Sequence, residues 1–162
     1  MKKFELTSES IVNIFGKKLF RIKALIEFGN VKEGELGGFI EKEKNLSHEG
    51  DAWVYGDAKV CGNAKVFGDA KVYGNAEVCG NAWVYGNAEV SGDADYSTIG
   101  GFGTKFRTST FFRCKDGIVR VKCGCFYGDL VEFRNQVKNT RKGKIAEEYL
   151  MIADLMEKHF DK

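Results

Sequence analysis

Nine residues of this chain combine types and spacings suited to holding a ligand. Trp53, Tyr55, Phe67, Tyr73, Trp83 and Tyr85 offer aromatic faces on which a planar ring can stack, and Arg107, Arg113 and Arg120 offer guanidinium forks that match phosphate. Together they describe the chemistry that would bind a small anionic ligand such as a signalling nucleotide. The aromatic residues recur at fixed intervals, so the same side chains would serve equally well as a contact between subunits. The arginines belong to a basic run, Lys105, Arg107, Arg113, Lys115, Arg120 and Lys122, opposed only by Asp116 and interleaved with Phe102, Phe106, Phe111 and Phe112. Such a surface suits nucleotides and keeps nucleic acid among the candidate partners; its plain alternative is a solvated strand face.

Groups for acid, base or metal chemistry are sparse. The two histidines are His48 and His159, and neither lies between Gly50 and Ser97. The five cysteines fit free thiols in a reducing compartment. Cys123-Gly124-Cys125 lacks the two-residue gap of zinc and redox pairs and has no second pair to complete four ligands; two thiols on one side of a strand is the simpler reading. No catalytic residue, metal or cofactor is expected.

The aromatic residues are positioned by a repeat. From Gly50 to Ser97 six residues recur eight times with the consensus Gly-(Asp/Asn)-Ala-x-Val-x. Ala and Val stand two apart, so in an extended segment both face one side while the x positions face the other. The Gly-Asp or Gly-Asn pair supplies a corner. Strand and corner in alternation make a solenoid, and a six-residue period is the signature of a parallel β-helix. Residues eighteen apart should then stack at about 4.8 Å. That places Tyr55 over Tyr73, Phe67 over Tyr85, Cys61 over Cys79, Lys71 beneath Glu89, Lys59 beneath Glu77, and Lys65 beside Trp83. Ile40 and Leu46 share the six-residue phase of Ala52, so 38–49 reads as a degenerate first portion of a coil.

The flanks supply the rest. Ile11–Phe15 and Lys18–Leu25 around Gly16-Lys17 read as a β-hairpin, followed by a glycine-rich connection. After the repeat, Gly100–Gly103 reads as a flexible link, and 108–114 with 118–123 around Lys115-Asp116-Gly117 as a second hairpin. Two helices should follow. Asp129 caps the first, with Leu130, Phe133 and Val137 on one face; Ile145, Tyr149, Ile152, Met156 and Phe160 form the apolar stripe of the second. The division is thus 1–37, 38–97 and 98–162. The repeat carries three basic and seven acidic groups, a net −4, whereas 98–162 carries thirteen and eight, a net +5. No apolar run reaches the length of a membrane helix and the first residues lack a signal-peptide core, so a cytoplasmic protein is expected.

The hexads resemble the hexapeptide-repeat superfamily, which implies a mainly β fold: a left-handed parallel β-helix of about three triangular coils, here with an N-terminal hairpin and a C-terminal hairpin plus two helices. The flanks narrow the likeness. Leu19–Leu25, Gly34-Glu35-Leu36-Gly37-Gly38-Phe39-Ile40-Glu41-Lys42-Glu43, Asn45-Leu46-Ser47, Cys123–Gly128 with Leu130 and Phe133, and Glu148-Tyr149-Leu150 look like a group of small bacteriophage and prophage proteins. That resemblance implies an accessory factor in the cytoplasm of a bacterial host, binding or sequestering a host protein or nucleotide signal, antiviral defences included, and associating as a homotrimer. Two alternatives remain. One is a structural or assembly module; the other is an acyltransferase, the activity of many left-handed β-helix proteins, which the absence of a histidine within the hexads disfavours.

Overall fold

A computed structural model describes residues 1–161, and among them short parallel strands lie between two antiparallel sheets, with two helices at the end. The first sheet is made by β1 (Phe4–Val12), β2 (Lys18–Ala24) and β3 (Leu36–Ile40). The parallel strands follow, each two residues long: β4 (Trp53–Val54), β5 (Lys59–Val60), β6 (Lys65–Val66), β7 (Lys71–Val72), β8 (Glu77–Val78), β9 (Trp83–Val84) and β10 (Glu89–Val90). The second sheet holds β11 (Tyr96–Phe102), β12 (Arg107–Arg113), β13 (Val119–Cys123) and β14 (Phe126–Asp129), and α1 (Leu130–Thr140) and α2 (Gly143–Phe160) complete the chain.

The parallel strands form three stacks, β4–β7–β10, β5–β8 and β6–β9. Trp53 pairs with Lys71 and Lys71 with Glu89; Lys59 pairs with Glu77 and Lys65 with Trp83, every step being eighteen residues. The cause lies in the hexad: its Ala and Val side chains fill the interior, from Ala52 to Val90, with at most 1% exposure. Seven hexad glycines adopt φ between 58° and 72°. At Gly50 a Cβ would also lie 2.4 Å from the Gly68 carbonyl oxygen, so only glycine permits the corners to stack this closely.

Both ends of the repeat depart from the expected pattern. Before β4 the pairings are Phe39 with Lys59, Ile40 with Val60 and Leu46 with Val66, an offset of twenty residues. Ile40 and Leu46 therefore stand at the valine position, not in the phase of Ala52, because the segment between Leu46 and Val54 holds two extra residues. At the other end the eighth hexad adds no parallel strand; its last two residues begin the antiparallel β11. Its glycine, Gly92, is extended, Asp93–Asp95 form a short 3-10 turn, and Tyr96, where valine is expected, donates its hydroxyl to the Glu77 carbonyl at 2.6 Å.

The first carbonyls of β4 and β6, unlike those of β5, lack a full preceding strand, and side chains take its place. Lys3, 1% exposed, donates from Nζ to the carbonyls of Gly50 (3.2 Å) and Ala52 (2.7 Å). Asn45, fully buried, donates from Nδ2 to the equivalent pair, Gly62 (3.2 Å) and Ala64 (2.8 Å). Asn45 thereby fixes the turn 42–45 against β6.

The N-terminal hairpin starts earlier than its apolar pattern suggests. Asn13 ends β1 by accepting the N–H groups of Phe15 and Lys17 on its side-chain oxygen, which leaves Ile14 and Phe15 in an exposed turn. Gly100 and Gly101 belong to β11 at a register shift against β12, so the expected link is a bulged strand. Cys123-Gly124-Cys125 is the tight turn into β14, with Gly124 at φ 58°, so its thiols do not share a strand face. The helices match their pattern: Asp129 accepts the Glu132 N–H at 2.8 Å, and Tyr149, Ile152, Met156 and Phe160 pack with Phe111, Val121 and Phe133 in a second core. Among the described residues no helix is long and apolar enough to cross a membrane.

Candidate functional site

The stack β6–β9 has only two strands, and its outer face carries Lys65 and Trp83. Trp83 is 36% exposed, with the Lys65 ammonium 5.6 Å from its ring centroid. Phe67 backs the indole edge-on at 6.0 Å. The Trp83 backbone N–H has no next strand to meet and donates to Thr110 Oγ1 at 2.9 Å, which ties β9 to β12.

Two walls rise beside this face. One is the turn anchored by Asn45, from which Lys42 donates Nζ to Asn63 Oδ1 at 3.1 Å. The other is the start of β12 and the β13–β14 turn, where the Arg107 guanidinium lies so close over Gly124 that a Cβ there would meet Nη1 at 1.9 Å. Between the walls is a cavity of about 830 Å³ whose charged lining is Lys42, Lys44, Lys65 and Arg107. A second cavity of about 820 Å³ adjoins it, sharing Lys44, Lys65 and Trp83 and adding Phe67, His48 and the carboxylate of Glu43, which is paired with Lys2 and His48.

The electrostatics of the first cavity are one-sided. No carboxylate lines it, and among the described residues none of its four cations forms an ion pair. A cation left without a partner in a concave surface attracts anions, because the low-dielectric walls focus its field.

The nine residues singled out in the sequence separate into groups. Trp83 and Arg107 meet in the first cavity, and Phe67 borders the second. Arg113 is engaged elsewhere, pairing with Asp95 at 3.2 Å, donating to the Phe160 carbonyl at 2.9 Å and lying over the Phe160 ring. Arg120 holds Asp116 in a two-pronged bond of 2.9 and 2.8 Å, which keeps that carboxyl down at about 2. Trp53 is fully buried against Phe4 and Phe28, and its indole N–H has no partner, so it is a packing residue closed to ligands. Tyr55 and Tyr73 stand on the β4–β7–β10 side, away from the groove. Tyr85 stacks on Phe67 at 4.5 Å and meets Tyr127 edge-on at 5.0 Å, which locks β9 to the C-terminal sheet.

Lys42, Lys44 and Lys65 were not among the nine. Lys65 has a signal, since the eighteen-residue register sets it beside Trp83. Lys42 and Lys44 have none, because the two-residue insertion decides where their turn falls.

Two groups with catalytic potential are already committed. His48 accepts the Lys3 N–H on Nδ1 at 3.0 Å, bonds Glu43 through Nε2 at 2.8 Å and stacks on Phe4. Its hydrogen bond holds the Glu43 carboxyl below the usual range and leaves neither ring nitrogen free. Burial first, and then the neighbouring Cys79, push the Cys61 thiol up to about 12, so it is no nucleophile near neutral pH. No family model matches the chain, and no curated protein matches it.

Proposed function

We propose that this protein captures a host-derived anionic molecule bearing a planar ring, such as a nucleotide, in the groove around Trp83. The observation that carries the reading is the set of four unpaired cations, Lys42, Lys44, Lys65 and Arg107, around an exposed indole with no carboxylate among them. Guanidinium and ammonium groups would hold the phosphate and the indole would take the base. Capture needs no general base, in keeping with His48 having both nitrogens engaged.

The wider reading joins this site to the sequence resemblance. The chain is a left-handed parallel β-helix of the hexapeptide-repeat superfamily; the eighteen-residue ladders and the inward Ala and Val support it. It acts as a phage or prophage accessory protein in the bacterial cytoplasm, where sequestering a nucleotide signal would blunt an antiviral defence. A homotrimer belongs to the same proposal, because the repeat's interior is thin, built from Ala and Val, and gains from further burial.

Titration of intrinsic fluorescence with a panel of nucleotides tests the reading, since Trp83 is exposed while Trp53 supplies a constant buried background. Saturable quenching that disappears in Lys65→Ala combined with Arg107→Ala, with Trp83 kept as the reporter, supports it. Absence of quenching by every nucleotide and by host metabolite extract contradicts it. For assembly, Tyr73→Ser with Tyr85→Ser lowers the native mass if the aromatic columns join subunits.

A further inference from the structure

The groove does not end at Arg107. A third cavity, of about 270 Å³ between the C-terminal sheet and the helices, shares Arg107 and Cys125 with the first and adds Lys105 and Arg141. It too is lined by no carboxylate. Lys105 and Arg141 are exposed, and among the described residues neither forms an ion pair. The two adjacent cavities therefore present Lys42, Lys44, Lys65, Arg107, Lys105 and Arg141 with no carboxylate in either lining. Elsewhere the arginines Arg21, Arg113, Arg120 and Arg134 each have a carboxylate partner.

A second exposed aromatic ring adjoins this route in the chain. Phe106, between Lys105 and Arg107, is 72% exposed and has φ 52°, and among the described residues it alone combines positive φ with a side chain. A bulky residue in that region carries strain. Neither burial nor packing offsets it, so the backbone holds an aromatic ring out in solvent between two cations. Phe106 lines neither cavity, but it precedes Arg107, which lines both.

We infer that the anion held here is a chain, a single-stranded oligonucleotide whose successive phosphates pass from the Lys42–Lys65 groove over Arg107 to Lys105 and Arg141. The inference rests on the anion-capture reading of the Trp83 groove and extends it. One mononucleotide concentrates its charge at one point and leaves the far cations unanswered. A phosphodiester chain spaces one charge per nucleotide and leaves its bases free to stack on the two exposed rings. In a duplex those bases are already stacked in pairs and are not free to take the exposed rings.

Fluorescence titration of the intact protein with thymidine monophosphate, a thymidylate octamer and inorganic polyphosphate, over a series of salt concentrations, tests this. The octamer should bind at least about tenfold more tightly than the monophosphate at low salt, with log K falling against log salt by about 0.7 per phosphate engaged, a slope of about −4 for the six cations. Lys105→Ala with Arg141→Ala should make that slope shallower by about 1.4 and leave monophosphate binding unchanged. Equal affinity for octamer and monophosphate, or a loss of both in the variant, overturns the inference while capture at Trp83 stands. Polyphosphate binding as tightly as the octamer overturns it as well, because charge alone would then suffice. Failure of all three probes to bind removes the anion-capture reading together with the inference.

Discussion

Ala52-Trp53-Val54-Tyr55-Gly56 and Ala82-Trp83-Val84-Tyr85-Gly86 are the same five residue types in the same repeat phase, yet their tryptophans have opposite surroundings. Trp53 is fully buried and Trp83 is 36% exposed. The hexad orients both indoles outward, and what covers them decides the rest. Over Trp53 lie Phe4 and Phe28 from the N-terminal segment, whereas Trp83 faces a gap between the turn 42–45 and the start of β12. A repeat specifies which way a side chain points; the flanks specify whether it becomes core or site.

Breaking this comparison at its buried member should have the largest effect. Trp53→Ala is expected to destabilise the fold by about 3–5 kcal/mol, as loss of a fully buried aromatic does, and chemical denaturation will read it. Trp83→Ala should change stability by less than about 1 kcal/mol and abolish ligand-induced quenching. A large loss of stability at Trp83 with a small one at Trp53 would reverse the assignment.

Lys3 comes next, because it caps the strand that carries Trp53. Lys3→Met strands the Gly50 and Ala52 carbonyls and should cost about 2–3 kcal/mol. Burial pulls the Lys3 amine down from 10.5 to about 8, against the smaller opposing pull of Asp51 and Asp69. Between those values the unfolded chain holds the proton and the folded chain has released it, so folding stability rises as pH climbs from about 8 toward 10.5. The neutral amine still has two N–H donors for the two carbonyls. Thermal melts across that range should show the rise in the wild type and lose it in Lys3→Met.

At the exposed member the arginines sharpen the contrast. Arg107→Gln should weaken anion binding by about tenfold to a hundredfold, the worth of a charged hydrogen bond, while Arg120→Gln, whose charge is spent on Asp116, leaves titrations unchanged. The smallest effect is expected at the C-terminal end of the repeat. Tyr96→Phe removes one hydroxyl bond to the Glu77 carbonyl and should lower stability by about 1 kcal/mol.

The repeat was legible because its information is local: six residues fix the corner, the inward pair and the eighteen-residue ladder. The capped helices were legible for the same reason, through Asp129 and an unbroken apolar stripe. The groove was legible only in part. Trp83 and Arg107 stood out by type and Lys65 by register, but Lys42 and Lys44 reach the site through the two extra residues before Val54. Trp53 was indistinguishable from Trp83, since its burial depends on Phe4 and Phe28 from far along the chain. Arg113 and Arg120 looked free in a basic run because their partners, Asp95 and the Phe160 carbonyl for one and a turn-folded Asp116 for the other, are set by tertiary geometry.

Native mass spectrometry of the protein purified from bacterial cytosol, followed by denaturation and analysis of what is released, tests the anion-capture claim most directly. The account predicts a bound anionic, ring-bearing molecule in the wild type that is missing when Lys65 and Arg107 are both replaced by Glu. A ligand-free wild type that also takes up nothing from host extract, or identical cargo in the charge-reversed protein, would contradict it.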